Sequence, residues 1–125
     1  MRAFVSGAAT LLASTSLLFG GLAFAGDDVM AGDYGNTVVS KSAMSESHLH
    51  YKPDHTFDGT GSMMGQTAQL KGTWSIDDKG QLCRVFDPPL PMGPANPVCG
   101  PAQAHKVGDT WTVGDRTITL VQGIQ

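Results

Sequence analysis

The chain is predicted to be all-β: a small antiparallel up-and-down β-barrel, or a curved meander sheet, of about six to eight short strands. Three observations predict this class. No segment after residue 25 places apolar residues at helical spacing over three turns. Glycine and proline recur every few residues, which keeps helices short. Several short runs alternate apolar and polar residues, as half-buried strands do.

The first 25 residues are predicted to be a secretory signal peptide. Arg2 is their only charged residue, an apolar run follows it, and Ala23-Phe24-Ala25 offers a small-residue cleavage site. A retained membrane anchor is the alternative, but serine, threonine and glycine dilute the apolar run. No later stretch approaches the ~20 apolar residues of a membrane span. We therefore expect an exported chain, periplasmic or secreted, with no membrane span after cleavage.

The charge of the exported part argues against two classes of partner. Cleavage after Ala25 leaves 100 of the 125 residues, enough for one domain with a modest core. All 11 acidic residues but only seven of the eight basic residues lie in this part, so its formal charge is −4. Nucleic acids and anionic membranes reward clustered lysine and arginine, and no such cluster is present. Binding to nucleic acid is not expected, and we expect a monomer.

The exported part is predicted to begin with a flexible arm. Residues 26–36 read GDDVMAGDYGN and are small, acidic and rich in glycine. The β-barrel domain is then residues 37–125, and its first strand is expected in the β-branched run NTVVSKSAM.

The second strand is expected in the stretch HLHYKPDH, which holds three of the four histidines. Alternation places Leu49 and Tyr51 on one face of this strand and His48 and His50 on the other. The strand then ends at the predicted turn PDHT, because proline and aspartate suit the central positions of a β-turn.

The next strands follow from similar patterns. TFDGTGSMMG is broken by glycine and predicts a short strand and a loop. Trp74 and Ile76 share one face of TAQLKGTWSI, and DDKG predicts a hairpin turn in which Gly80 takes a positive φ. QLCRVF returns as a strand. The last strand is expected to turn Ile118 and Leu120 inward.

The only two cysteines, Cys83 and Cys99, are predicted to form a structural disulfide. An even number of cysteines in an exported chain indicates pairing, with two free thiols as the alternative. The stretch DPPLPMGPANPVCGP, which contains Cys99, is too rich in proline to be a strand and is expected to be a stiff surface loop held by the disulfide. This loop carries Leu90 and Met92, which we expect to be exposed. It could bind a partner at low entropic cost, or it could be a plain connection.

Large aromatic residues are expected to fill the core, and they also mark a possible ligand site. Trp74, Trp111, Phe57, Phe86 and Tyr51 are the natural core fillers. Small barrels can also hold one apolar molecule in their mouth. The candidate residues for binding a ligand or a partner are Tyr51, Trp74, Trp111, Leu90 and Met92.

About Leu49 to Leu120, the chain resembles a family of small exported proteobacterial proteins of unknown function. The resemblance rests on the segments YKPDHTF, LKGTWSIDDKGQLC, NPVC, GDTWTV and TITL. It implies a calycin-like or lipocalin-like β-barrel and says little about function. The usual turn glycine of that family is His55 here, and histidine tolerates positive φ better than most residues.

A weaker resemblance is to the periplasmic inhibitors of alkaline metalloproteases. The order G-x-W, Cys, Cys, Trp and a final strand is similar to that family, whose short N-terminal arm enters the protease cleft. The acidic, glycine-rich arm of residues 26–36 departs from the family's usual arm. The Y-x-x-D-x-T-F hairpin is also not part of that pattern.

The histidines could form a metal site. His48 and His50 lie two residues apart on one strand face, and His55 could fold back across the turn as a third ligand. Histidine together with the methionines of this chain would suit copper better than zinc. Against a metal, no carboxylate or cysteine completes a recognisable ligand set. His48 and His50 can equally point to water, and we expect no cofactor unless this site holds copper.

No enzyme is expected. The aspartates fall almost entirely in predicted turns, where they serve the backbone, and no serine lies in a nucleophile motif. The sequence therefore predicts an exported, non-enzymatic binding protein of the cell envelope, for a small apolar ligand or a protein partner. A periplasmic protease inhibitor and a periplasmic copper-binding protein are the alternatives.

Overall fold

A computed structural model of the protein describes residues 26–125 except Met92. The predicted signal peptide of residues 1–25 lies outside the described residues, and so does Met92, one of the predicted partner-binding residues.

The described chain is mostly β-structure and confirms the predicted fold class. One antiparallel sheet of eight strands has the order β6-β5-β4-β3-β2-β1-β8-β7 and curls into a half-barrel with β6 and β7 at its two edges. It thus has the curved-sheet form of that class. The strands are β1 Thr37–Lys41, β2 Ser45–Tyr51, β3 Thr56–Met63, β4 Gln66–Ile76, β5 Gln81–Phe86, β6 Val98–Pro101, β7 Thr110–Val113 and β8 Arg116–Val121.

Strand β1 lies between β2 and β8, so the first strand of the chain pairs with the last one. Val38 pairs with Leu49 of β2 on one side and with Leu120 of β8 on the other. Directly paired residues share a face of a sheet, so these three side chains lie on the same face. We call this the inner face, because it carries the buried residues, and the opposite side the outer face.

The hydrophobic core fills one end of the inner face. Large apolar side chains from β2 to β5 are almost fully buried there, because alternate positions of each strand turn inward. The core cluster consists of Val29, Met30, Leu49, Tyr51, Phe57, Trp74 and Phe86. We call this the core end. The opposite end, where the β1–β2, β3–β4 and β7–β8 turns lie, is called the open end.

The N-terminal segment differs from the flexible arm expected from the sequence. Gly26–Asp33 form a 3-10 helix that contacts β2 and β4. Val29 is 6% exposed and Met30 is 3% exposed, so both belong to the core. At the end of this helix, a Cβ on Gly32 would lie 2.0 Å from the carbonyl oxygen of His105, so only glycine allows this close approach. The segment is thus a packed part of the domain.

Two predicted turns have the expected backbone. Gly80 in the DDKG hairpin has a φ of 78°, and His55 in the PDHT turn has a φ of 72°. Residues in this left-handed region are mostly glycine, asparagine or aspartate, and histidine is among the tolerated exceptions. The side chain of Asp77 closes the DDKG hairpin, because it accepts hydrogen bonds from the backbone N–H groups of Lys79 and Gln81.

The predicted disulfide joins Cys83 of β5 to Cys99 of β6, which are directly paired in the sheet. The proline-rich loop between these strands is fixed to the end of β5 at a second point. The side chain of Asn96 accepts a hydrogen bond from the N–H of Phe86 and donates one to its carbonyl.

In the part of the chain that the structure describes, no helix is long and apolar enough to cross a membrane.

Candidate functional site

Small and polar residues line the open end of the inner face. Ser45 and Ser47 of β2 and Gly61 of β3 take the inward positions that large aromatic residues occupy at the core end, and Ala68 of β4 continues the row. The Leu70 side chain lies over Gly61, and Ser45 and Ser47 are only half-buried, whereas Leu49 and Tyr51 further along β2 are buried. The inner face is therefore packed at one end and open at the other.

Arg116 lies on this open part of the inner face, in phase with Ile118 and Leu120 of the same strand. Its guanidinium donates hydrogen bonds from Nε to the Ser40 hydroxyl, from one terminal nitrogen to the Ser45 hydroxyl at 2.9 Å, and from the other to the Ser40 carbonyl at 3.1 Å. These bonds fix the plane of the guanidinium across β1, β2 and β8. The other two of its five N–H groups have no hydrogen-bond partner within residues 26–125 as the structure describes them.

No carboxylate of the described chain pairs with this charge. Across the described residues, the ion pairs involve lysine or histidine and none involves Arg116. The inner face thus presents a fixed positive charge in a protein whose formal net charge is −3.

Trp111 and Ile118 provide an apolar wall beside Arg116. They are directly paired across β7 and β8, and both are half-buried. The ring of His105 stacks on Trp111 with centroids 3.4 Å apart. Burial lowers the pKa of His105, which favours the neutral imidazole, although nearby Asp109 pulls the pKa the other way. The stack fixes one face of the indole and so orients Trp111 at the edge of the sheet.

A second arginine, Arg84, also lies on the inner face, directly paired with Trp74. Its Nε is buried and has no hydrogen-bond partner among the described residues. The hydroxyl of Tyr51 lies beside its guanidinium: burial raises the pKa of Tyr51, and Arg84 opposes that rise. Arg84 differs from Arg116 in sitting against the packed core.

The other predicted ligand residues are divided by the structure. Tyr51 and Trp74 are 3% and 2% exposed and belong to the core, where the indole N–H of Trp74 donates to the carbonyl of Lys52. Leu90 packs against the core cluster and does not stand exposed on its loop as expected. Trp111 is the predicted aromatic residue that borders the open part of the inner face.

His48 and His50 lie on the outer face, as the alternation of β2 predicted. Each ring has a carboxylate partner: His48 Nε2 lies 2.6 Å from Glu46, and His50 Nδ1 lies 2.9 Å from Asp58. The His48 hydrogen bond lowers the pKa of Glu46. His50 Nε2 is also 3.2 Å from the carbonyl of Gln125, so the C-terminal residues cover this ring.

His55 is not part of that pair of histidines. Its ring stacks on the core residue Trp74, with centroids 4.2 Å apart, and Nε2 bonds to Asp27 of the N-terminal 3-10 helix. The three predicted metal ligands are thus divided between the two faces of the sheet. Among the described residues, no three histidine, cysteine, aspartate or glutamate side chains form a group that could hold a metal ion.

Two depressions lie at opposite ends of the sheet. One of about 310 Å³ lies between the N-terminal 3-10 helix and the β4–β5 turn, and Val29, Ile76 and Asp77 contribute to its lining. The other, of about 230 Å³, lies between the hairpin tips of the open end and is lined in part by Ser45 and Met63. The second depression adjoins the Arg116 site, because Ser45 takes part in both.

Reasoning from the sequence missed Arg116, although a signal was present. An arginine that falls in phase with two inward apolar residues of a strand either pairs with a buried acid or presents its charge to the inner face.

Comparison of the chain with protein-family models, curated proteins and solved structures finds no match.

Proposed function

We propose that the protein is an exported, non-enzymatic binding protein of the cell envelope. Its ligand is a small apolar molecule that carries an acidic group and lies on the open part of the inner face. The observation that carries this proposal is Arg116, whose guanidinium is held in place by uncharged partners and faces no carboxylate within the described chain.

The chemistry of arginine favours an acidic ligand. A guanidinium presents its N–H groups in a rigid plane that matches a carboxylate or phosphate oxygen pair. The bonds to Ser40 and Ser45 orient this plane in advance, which lowers the entropic cost of binding. Trp111 and Ile118 supply apolar surface for the rest of the molecule.

Two of the turn carboxylates serve the backbone, as expected from the sequence. Asp54 accepts hydrogen bonds from the hydroxyl and the N–H of Thr56, and these bonds lower its pKa. The backbone N–H of Lys106 bonds to Asp109 and lowers its pKa in the same way. These two carboxylates therefore brace turns, and the bonds that lower their pKa make them weak general bases.

Export is supported by the N-terminal pattern of residues 1–25 and by the disulfide, since such bonds persist in oxidising compartments.

The two alternatives have less support. An inhibitory arm would have to pull Val29 and Met30 out of the core before it could enter a protease cleft. A copper site would have only His48 and His50 on one face, each already bonded to a carboxylate.

Trp111 allows a direct test. The purified protein is titrated with decanoate, and the tryptophan emission is followed, with decanol as the uncharged probe of equal chain length. We expect decanoate to bind and decanol to bind more weakly. Arg116→Gln should weaken decanoate by about tenfold or more, as expected for loss of a charged hydrogen bond.

Lys41→Gln is the matched control, because Lys41 is an exposed cation one strand away whose register places it on the outer face. It should leave decanoate binding unchanged. Equal losses of decanoate affinity in the two variants would show that only the net charge of the protein matters. If neither decanoate nor decanol binds to the unmodified protein, the proposed site is wrong.

A further inference from the structure

Among the described residues, half of strand β4 has a neighbouring strand on one side only. Gly72–Ile76 pair with β5, whereas Gln66–Leu70 pair with β3 alone. The cause lies in the sequence DPPLP. After Asp87 donates its N–H to the carbonyl of Lys71, Pro88 and Pro89 have no N–H to continue the ladder. The chain leaves the sheet, and the first half of β4 becomes an edge.

This edge lacks the features that normally protect edge strands. The segment QTAQL contains no charge and no proline, and its first four residues are exposed. The outer edges of the sheet differ: β6 has four residues, follows Pro97 and ends with Pro101, and β7 has four residues and follows Asp109. Charges, prolines and short length are the common means of preventing strand pairing between molecules.

The hydrogen-bonding groups of this edge alternate in a defined way. Trp74 donates its N–H to His55 on the side of β3, whereas Lys71 accepts from Asp87 on the opposite side. Alternate residues of an antiparallel strand direct both backbone groups to the same neighbour. Thr67 and Gln69, in phase with Lys71, therefore direct their N–H and C=O groups away from β3.

We propose that Gln66–Leu70 is a dimerisation edge, at which a second copy of this chain pairs antiparallel about a two-fold axis at Ala68. Thr67 of each copy then faces Gln69 of the other, and these two pairs exchange four backbone hydrogen bonds. The edge is thus complementary to itself, as an interface with two-fold symmetry must be.

The side chains suit this register. Ala68 meets its own copy at a pair without hydrogen bonds, where strands approach most closely and a small residue fits best. The uncharged Thr67 and Gln69 bring no repulsion to the contact. The proposal departs from the monomer expected from the sequence, and it does not depend on the ligand.

Sedimentation velocity of the oxidised protein over a concentration series tests the dimer. We expect the parent protein to dimerise and Thr67→Lys/Gln69→Lys to sediment as a monomer at the same concentrations, because like charges would face each other. The control Gln81→Lys/Gln103→Lys adds the same charge at exposed positions outside this edge and should remain dimeric. Circular dichroism melts verify that each variant is folded.

A charge exchange separates this edge from any other interface. Thr67→Glu/Gln69→Glu should also be monomeric alone. An equimolar mixture with Thr67→Lys/Gln69→Lys should form dimers, because opposite charges would then face each other. Ala68→Cys should form a disulfide-linked dimer faster than Thr67→Cys, because only residue 68 faces itself across the axis; the natural cysteines are already paired.

Three results would overturn the proposal. The first is that the unmodified protein stays monomeric up to its solubility limit. This holds even if its edge binds an extended peptide, because the occupant would then not be a second copy. The second is that Thr67→Lys/Gln69→Lys remains dimeric, as the control Gln81→Lys/Gln103→Lys does. The third is a mixture of the lysine and glutamate variants that stays monomeric.

Discussion

Asp33 is an acid placed where its charge is unfavourable. It ends the N-terminal 3-10 helix, and burial raises the pKa of its carboxyl from 3.8 to about 7. The ionised form would face the hydroxyls of Tyr34 and Tyr51, whose pKa values its charge helps to raise. The carboxyl thus prefers to be neutral in the folded protein.

The raised pKa makes folding stability depend on pH in a defined direction. Below about pH 4, Asp33 is protonated in both states and has no effect. Between pH 4 and 7 the unfolded chain releases this proton while the folded chain retains it, so stability falls as pH rises. Above pH 7 both states are ionised and the loss is constant.

Asp33→Asn should remove this loss. Urea unfolding should show equal stability of the variant and the parent near pH 4, and an advantage of the variant that grows to roughly 1–2 kcal/mol above pH 7. Partial exposure keeps the value below that of a fully buried acid. Asp28→Asn, an exposed acid of the same helix, is the control and should show no such growth. A constant difference at every pH would contradict the assignment to Asp33.

His55 shows how one residue can serve several contacts. Its positive φ closes the PDHT turn, its ring covers Trp74, and its Nε2 bonds to Asp27 of the N-terminal helix. The resemblance stated from the sequence predicted this backbone conformation, because glycine is usual at that position in the proteins it resembles. The direction of the ring could not be predicted, since it depends on a helix that the sequence did not indicate.

At the scale of elements, alternation predicted the faces of β2, but two strand predictions were wrong. β3 continues to Met63 through a stretch expected to become a loop, and β6 lies at the end of the proline-rich stretch expected to contain no strand. Leu49 and Tyr51 are buried and His48 is on the opposite face, as the period of two requires. The N-terminal 3-10 helix could not be predicted in this way. It is eight residues long, has only Val29 and Met30 buried, and owes its position to the core beneath it.

The disulfide is expected to stabilise the β5–β6 pair strongly. It closes a loop with a sequence separation of 16 residues, and removing such a link costs about 3 kcal/mol. Cys83→Ser/Cys99→Ser should lower the free energy of unfolding in urea by that amount.

The parent protein in excess dithiothreitol serves as the control, and its stability should match that of the double variant. A double variant as stable as the oxidised parent would show that the link constrains neither state.

At the scale of the whole molecule, the N-terminal segment is part of one core and not an appendage. If this is correct, Met30→Ala should lower the free energy of unfolding by about 2–5 kcal/mol, as for other buried methionines. Met44→Ala is the matched control, because Met44 is 62% exposed in the β1–β2 turn, and it should change stability little.

Both variants are compared by urea unfolding at one pH. If both substitutions change the free energy of unfolding equally and little, residues 26–36 behave as the flexible arm expected from the sequence.

The position of β1 also determines when this fold can form. Its neighbour β8 lies at the far end of the chain, with Thr37 paired to Val121, and β7 is attached to the sheet through β8 alone. A chain that is still being made, or still passing through a membrane, lacks the strand that completes the sheet. Closing so long a loop makes folding slow. The native state is therefore reached only after the last strand has been made, and the proposed export would act on a chain that has not yet completed its sheet.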